Sequence, residues 1–213
     1  MVLADDRVHY KAIEGRPEVT FRPPSGLNPE MESVSYIDSS RRLRPGAYTH
    51  TSYNFKKPSV DLQTGEKTKD GALQKFEIYD YPGQYGQEDR GRRLARVHLE
   101  AAKALEEQAG GNSNCPRLAA GFTFRLEGHD FRDFNREYLL VGVTHSGQQP
   151  QTLEEQSGSG AGASYSNNFI AIPSAVTYRP LKSIHKPCVL GPQAATVVGP
   201  EGDVLQVEVD RHG

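Results

Sequence analysis

GFTFRLEGH, residues 121–129, and YLLVGVTH, residues 138–145, decide the architecture. In the first stretch Phe122, Phe124 and Leu126 alternate with other residues. Side chains along a strand point to opposite faces in turn, so these three share one face and belong to a core. The second stretch is an apolar run of strand length. Residues 130–136 between them are short and charged, which predicts an antiparallel pair.

Toward the C-terminus, residues 146–168 (SGQQPQTLEEQSGSGAGASYSNN) carry Gly, Ser and Gln without a period and read as a long loop. Gly158, Gly160 and Gly162 miss the dinucleotide spacing and lack a P-loop lysine, so they form no phosphate cradle. FIAIP, 169–173, resumes a strand, and 178–180 leave it extended. In KPCVLGPQAATVVGPEGD, 186–203, two Gly-Pro pairs bracket the apolar residues 194–198, which predicts a short strand between turns. The core expected from these segments is Phe122, Phe124, Leu126, Leu139, Val141, Phe169 and Ile172.

Toward the N-terminus, QEDRGRRLARVHLEAAKALEEQ, residues 87–108, predicts the one helix. Leu94, Val97, Ala101 and Leu105 fall at helical spacing, Glu88 and Asp89 suit the positive end of the dipole, and Gly110-Gly111 is the expected C-cap. Residues 112–114 read as a polar link. FEIYDYPGQY, 76–85, predicts a strand ending in a Pro-Gly turn. Its tyrosines pack ring faces on neighbouring strands with wet hydroxyls, or alternatively stack on a sugar. Thr64-Gly65-Glu66 reads as a turn, and 48–55 and 33–37 as alternating strands. RRLRPG, 41–46, is the one basic cluster: its ordinary reading is a solvated loop, with a phosphate site as the alternative. MVLADDRVHY, 1–10, reads as a strand separated from earlier partners.

The 213 residues carry 25 Lys and Arg against 27 Asp and Glu, a net charge of −2. Such a balance offers no long-range field for nucleic acid or an anionic membrane. No run approaches the roughly eighteen apolar residues of a membrane span. MVLADD lacks the basic start of a signal peptide, so the general secretory route is not expected. Only about 41% of residues are apolar when Gly is counted and Tyr is not, below the usual globular range. That shortfall predicts long loops or faces buried in an assembly.

Cys115 and Cys188 read as two buried free thiols. The histidines at 9, 50, 98, 129, 145, 185 and 212 show no metal-binding spacing, and His98 reads as an edge-of-core residue. No Gly-x-Ser-x-Gly elbow is present, and the many carboxylates form no visible catalytic pair. The sequence therefore assigns no catalytic residue, no cofactor-binding residue, no metal ligand and no cofactor.

The strings KPCVLGPQAATVVGPEGD and YDYPGQY resemble the VgrG family, spikes of the bacterial type VI secretion system related to contractile phage tail hub and baseplate proteins. Residues 121–126, 135–146, 165–173 and 178–180 are similar in order to the succession of motifs in VgrG hubs, and the Leu-Ala-Asp-Asp of residues 3–6 is similar to a segment that lies inside the hub. The resemblance implies a mainly β (α+β) fold: a β-barrel hub domain with one amphipathic helix, followed by the beginning of an OB-fold. It divides the chain into residues 1–20, the end of a preceding hub β-domain; 21–185, the hub barrel with its helix near 87–108; and 186–213, a linker and truncated OB-fold start. It implies further sequence before Met1 and after Gly213, where relatives continue through the OB-fold into a needle.

The implied function is structural rather than enzymatic. It is the base of a homotrimer seated on the Hcp tube hexamer, with a PAAR tip and effectors carried by parts outside this chain. Assembly in the bacterial cytoplasm and injection into target cells follow from the same resemblance. A phage-type baseplate hub is the alternative, and a β-rich cell-wall hydrolase a remoter one.

Overall fold

Ten regular elements follow one another: β1 (Glu18–Phe21), β2 (Ser33–Arg41), β3 (Ala47–His50), β4 (Thr64–Lys67), β5 (Glu77–Asp80), α1 (Glu88–Ala104), β6 (Glu107–Ser113), β7 (Thr123–Glu127), β8 (Glu137–Gln148) and β9 (Ser164–Pro173). The structure is a computed structural model that describes residues 4, 6–24, 31–148 and 164–181, with the isolated positions 184, 187, 189, 191, 192 and 194. Six strands close a barrel in the order β1-β2-β6-β9-β8-β7, and a separate sheet has the order β4-β3-β5. The expected mainly β fold, a barrel with one amphipathic helix, is the architecture that forms.

The antiparallel pair β7–β8 forms as the sequence predicts, with Thr123 opposite Leu139. Phe124 and Leu126 are fully buried, and half-buried Phe122 packs beside them. They join Ile13, Val19, Val34, Ile37, Cys115, Leu118, Tyr138, Leu140 and Phe169 in one barrel core. A bulge between Leu140 and Gly142 changes which side chains of β8 point inward. Val141, expected in the core, is only half-buried as a result, whereas Val143 packs against the core. Leu139 and Ile172 are buried opposite each other but lie outside the interior cluster, on the other side of the wall. A second bulge, between Val34 and Tyr36, brings Val34 and Ile37 both inward and leaves Tyr36 exposed.

The helix expected over 87–108 ends at Ala104. Gly110-Gly111 is not its C-cap: both glycines lie in β6, which pairs with β2 on one side and β9 on the other. A Cβ at Gly111 would run into the Phe169 ring, so glycine is required there by close packing across the wall. Residues 112–114 are likewise no link. Asn112 and Ser113 belong to β6, and the Asn114 side chain accepts a hydrogen bond from the Ser33 N–H at 2.7 Å. Tertiary pairing overrides local helix and turn signals here.

Four other expectations change. The strand read over 48–55 spans only Ala47–His50, and Tyr53 and Phe55 beyond it are exposed. Thr64-Gly65-Glu66 is the start of β4, antiparallel to β3, rather than a turn. The ends of the supposed loop 146–168 are strand, pairing out to Gln148 opposite Ser164. Described residues of 1–10 include a short 3-10 turn, Arg7–His9, capped by the Asp6 carboxylate, where a strand was expected. The strand read at 194–198, Cys188 and the OB-fold start lie outside the described residues apart from those isolated positions.

Candidate functional site

Outside the barrel, α1 covers the β4-β3-β5 sheet and makes a second, smaller core. Tyr48, Ala95 and Leu99 are buried there, with Ile78 against them. The helix face differs from the predicted stripe: Gly91, Ala95, Leu99, Ala101 and Ala104 are buried, while Leu94, Val97 and Leu105 are half-buried. Small residues let the helix lie close to the sheet. A Cβ at Gly91 would sit 2.5 Å from the Tyr85 ring and 2.7 Å from Thr64 Oγ1.

Polar groups complete that joint. The Tyr85 hydroxyl lies 2.5 Å from the Leu62 carbonyl, 3.0 Å from the His50 carbonyl and 3.1 Å from Thr64 Oγ1. With one proton it donates to a carbonyl and accepts from Thr64. This hydroxyl is buried, contrary to the wet tyrosines expected, whereas the Tyr79 and Tyr81 side chains are exposed. His50, 1% exposed, places Nε2 2.8 Å from the Gly91 carbonyl. A carbonyl only accepts, so Nε2 carries the proton. Tyr48 donates to Asp80 Oδ2 at 3.0 Å, and burial followed by the Asp80 carboxylate holds its phenol well above the usual tyrosine range.

His98, expected at the edge of a core, stacks on Tyr48 at 5.0 Å and lies 6.2 Å from the His50 ring. The fold thus joins two histidines 48 positions apart in the chain, which no local spacing reveals. Among the described residues no three His, Cys, Asp or Glu side chains converge as a metal site requires. The signal that sequence reading passed over was Gly91 itself, since an isolated glycine inside a helical pattern points to close packing.

Cys115 is buried and free, as expected. Burial raises its pKa, and its thiol lies 3.4 Å from Glu32 Oε2, so it is held as a protonated thiol rather than an activated nucleophile. The Arg117 hydrogen bond holds the Glu32 carboxyl below its ordinary range, with Nε 2.7 Å away. Arg117 also donates to the carbonyls of Glu14 and Arg16, tying the N-terminal segment to the β6–β7 connection. The basic cluster is a solvated loop only in part: Arg42 and Leu43 are exposed, but Arg41 ends β2 and pairs with Glu106 at 3.2 Å, Arg44 is half-buried and Gly46 is buried.

The outer barrel wall carries a different kind of surface. Across β2, β6, β9 and β8 one row is Asp38, Gly110, Ile170 and Gly142, and the next is Tyr36, Asn112, Asn168 and Thr144. Ile170 is 51% exposed and Tyr36 54%. Two large side chains, Tyr36 and Ile170, stand there among glycines, uncharged polar residues and the single carboxylate of Asp38, a surface suited to protein contact.

A closed barrel with packed interior, a helix-covered side sheet and exposed strand surfaces suit a part that works by contact with other proteins. The chain belongs to the phage tail baseplate hub (GPD) family, whose match covers residues 1–151. It is 31% identical over 214 residues to the type VI secretion system spike protein VgrG1b of Pseudomonas aeruginosa, covering 100% of this chain and 28% of that protein. It is 39% identical over 163 residues to the actin cross-linking toxin VgrG1 of Vibrio cholerae, covering 76% of this chain and 14% of that protein. The chain therefore spans about a third or less of the length of these curated relatives. A 43 kDa tail protein of prophage MuSo2 from Shewanella oneidensis shares the fold, with a TM-score of 0.51 at 10% identity over 78% of this chain and 46% of that one.

Proposed function

We propose that this chain is the hub portion of a type VI secretion spike. The supporting observation is identity to a spike protein of that system over the whole of this chain, 31% across 214 residues. In this reading the barrel is one of several that form a trimeric base on the Hcp tube hexamer. Parts beyond it, reached through residues 186–213 as a linker and the first part of an OB-fold, carry the PAAR tip and effectors. The expected boundary between a preceding hub β-domain (1–20) and the barrel domain (21–185) moves toward the N-terminus in this reading, because Ile13, Val19 and all of β1 belong to the barrel. The job is mechanical: the hub is assembled in the cytoplasm, transmits thrust from the tube and is injected with its cargo. The packed interior suits it, because close-packed cores transmit strain. No catalytic residue is assigned, and among the described residues no helix is long and apolar enough to cross a membrane.

A phage-type baseplate hub is the second reading, favoured by the family match over residues 1–151 and the fold shared with a prophage tail protein. Co-purification separates them. The protein is offered Hcp from its own strain and a tail-tube protein from a resident prophage. Retention of Hcp alone supports the spike, and retention of the phage tube protein alone overturns it.

A further inference from the structure

The apolar core stops short of one end of the barrel. Ile37 on β2, Ala109 on β6 and Tyr138 on β8 point into the interior. Side chains alternate along a strand, so Ser39, Glu107 and Arg136, each two residues nearer that end, point the same way. Polar and charged groups take over where the packed interior ends. With Arg132, Asp133 and Phe134, which form a short 3-10 turn, they line a cavity of about 620 Å³ at the barrel mouth.

This mouth is ordered in advance. The Arg136 guanidinium pairs with the Glu107 carboxylate and lies 5.2 Å from the centre of the Tyr138 ring, and both charged side chains are half-buried. One of its donors, Nε, still has no acceptor among the described residues, so the guanidinium is incompletely used. The turn is fixed by the Asn135 side chain, which accepts from the His129 N–H at 2.9 Å and donates to the His129 carbonyl at 2.7 Å. His129 Nδ1 accepts from the Phe131 N–H at 3.1 Å, and the Phe134 ring packs on the imidazole at 4.6 Å. At the entrance the Arg132 guanidinium has no hydrogen-bond or ion-pair partner among the described residues.

We infer that the barrel mouth is a binding site for a peptide-like carboxylate, with the guanidiniums of Arg132 and Arg136 taking the carboxylate group. The mouths of β-barrels, with an aromatic wall and a few convergent polar groups, are favoured places for small ligands. A guanidinium presents a planar fork that matches a carboxylate, and the Ser39 hydroxyl adds a donor. Two guanidiniums against two carboxylates, Glu107 and Asp133, leave the mouth without net charge. A free phosphate therefore finds no excess positive field, whereas a carboxylate joined to N–H groups, as at the end of a peptide chain, can give those donors to Asp133. Phe134 offers an apolar face to the side chain beside it. The site goes beyond the hub reading and does not depend on which tube the hub serves.

The test follows amide and arginine side-chain NMR signals of the full chain. Four probes are titrated: an apolar tripeptide with a free C-terminal carboxylate, the same tripeptide as its amide, acetate and inorganic phosphate. The expected result is saturable shifts confined to Ser39, Glu107 and residues 132–136 with the free-carboxylate tripeptide, and none with its amide. Tighter binding of the tripeptide than of acetate assigns the site to a chain end, and equal binding assigns it to a small free carboxylate. Either supports the inference. Arg132→Gln removes an exposed side chain without a partner and should weaken binding about ten-fold or more, while Arg125→Gln on the outer face of β7 should not. No saturable shift with either carboxylate, phosphate bound as tightly as the tripeptide, or an Arg132→Gln protein that binds as before overturns the site. Circular dichroism checks that both variants fold.

Discussion

The barrel and the helix-covered side sheet are held by different physics. The barrel buries a continuous set of large apolar side chains, among them Phe124, Leu126, Leu140 and Phe169, and its strands meet no free edge through the wall. The side sheet has three strands, two of them outermost, and a buried apolar cluster of only Tyr48, Ala95 and Leu99. What it lacks in apolar area it replaces with directional contacts through Tyr85, His50 and Asp80. The barrel therefore tolerates loss of a polar atom and suffers from loss of volume, while the side sheet should do the reverse.

The sharpest test of that contrast is Phe124→Ala. Phe124 is fully buried and touches the rings of Tyr138 and Phe169, so truncation should cost about 3–5 kcal/mol in chemical denaturation. A change within a few tenths would remove the barrel core from the account. Next come two glycines. Gly111→Ala forces the Phe169 ring aside and should cost about 1–3 kcal/mol of global stability. Gly91→Ala should cost a similar amount but locally, seen as faster amide exchange in α1 and β4 with β7 and β8 unchanged. Alanine otherwise favours a helix over glycine by about 1 kcal/mol, so a stabilised Gly91→Ala protein would refute the close helix–sheet contact.

Two buried hydroxyls sharpen the comparison further. Tyr85→Phe removes a hydroxyl with three oxygen neighbours and should cost about 1–2 kcal/mol. Tyr138 is equally buried in the barrel, yet its hydroxyl has no hydrogen-bond partner among the described residues. Tyr138→Phe should therefore change stability by less than about 0.5 kcal/mol. Equal losses at the two sites would break the distinction between the regions.

A last effect is one of pH. The folded-state pKa of Tyr48 is raised above the ordinary value of 10.0. Below pH 10 this phenol is neutral in folded and unfolded chains alike, and its contribution is fully present. As pH rises above 10 the unfolded chain ionises first, so stability is lost. Tyr48→Phe should give up about 1 kcal/mol at neutral pH with the Asp80 hydrogen bond, and should flatten the loss between pH 10 and 12. An unchanged alkaline slope in thermal melts would assign that sensitivity elsewhere.

Alternation and short-range order made much of this molecule legible. Phe122, Phe124 and Leu126 had to share a face because side chains along a strand alternate. One helix began near Gln87 because acidic residues and helical spacing coincide there. The family strings at 79–85 and 186–203, with the ordered motifs at 121–126, 135–146, 165–173 and 178–180, pointed to a hub barrel, and the comparisons agree. Within the joint, Tyr85 was visible as a packing tyrosine, but its buried hydroxyl and the meeting of His50 with His98 were not.

What only the tertiary structure decided are features set by partners distant in sequence. β1, four residues between prolines, closes the barrel by pairing parallel with both β2 and β7, and nothing in EVTF announces that role. Gly110-Gly111 has the composition of a helix cap and the position of a barrel strand, because β2 and β9 supply hydrogen bonds on both sides and Phe169 needs the space. The polar residues flanking the supposed loop 146–168 became a ribbon because each strand gives the other a ladder that neither encodes alone. Local pattern determines which face of a segment is apolar; which segments pair, where a bulge shifts the register and where one ends are settled by the closed sheet, since a backbone hydrogen bond needs its partner in place.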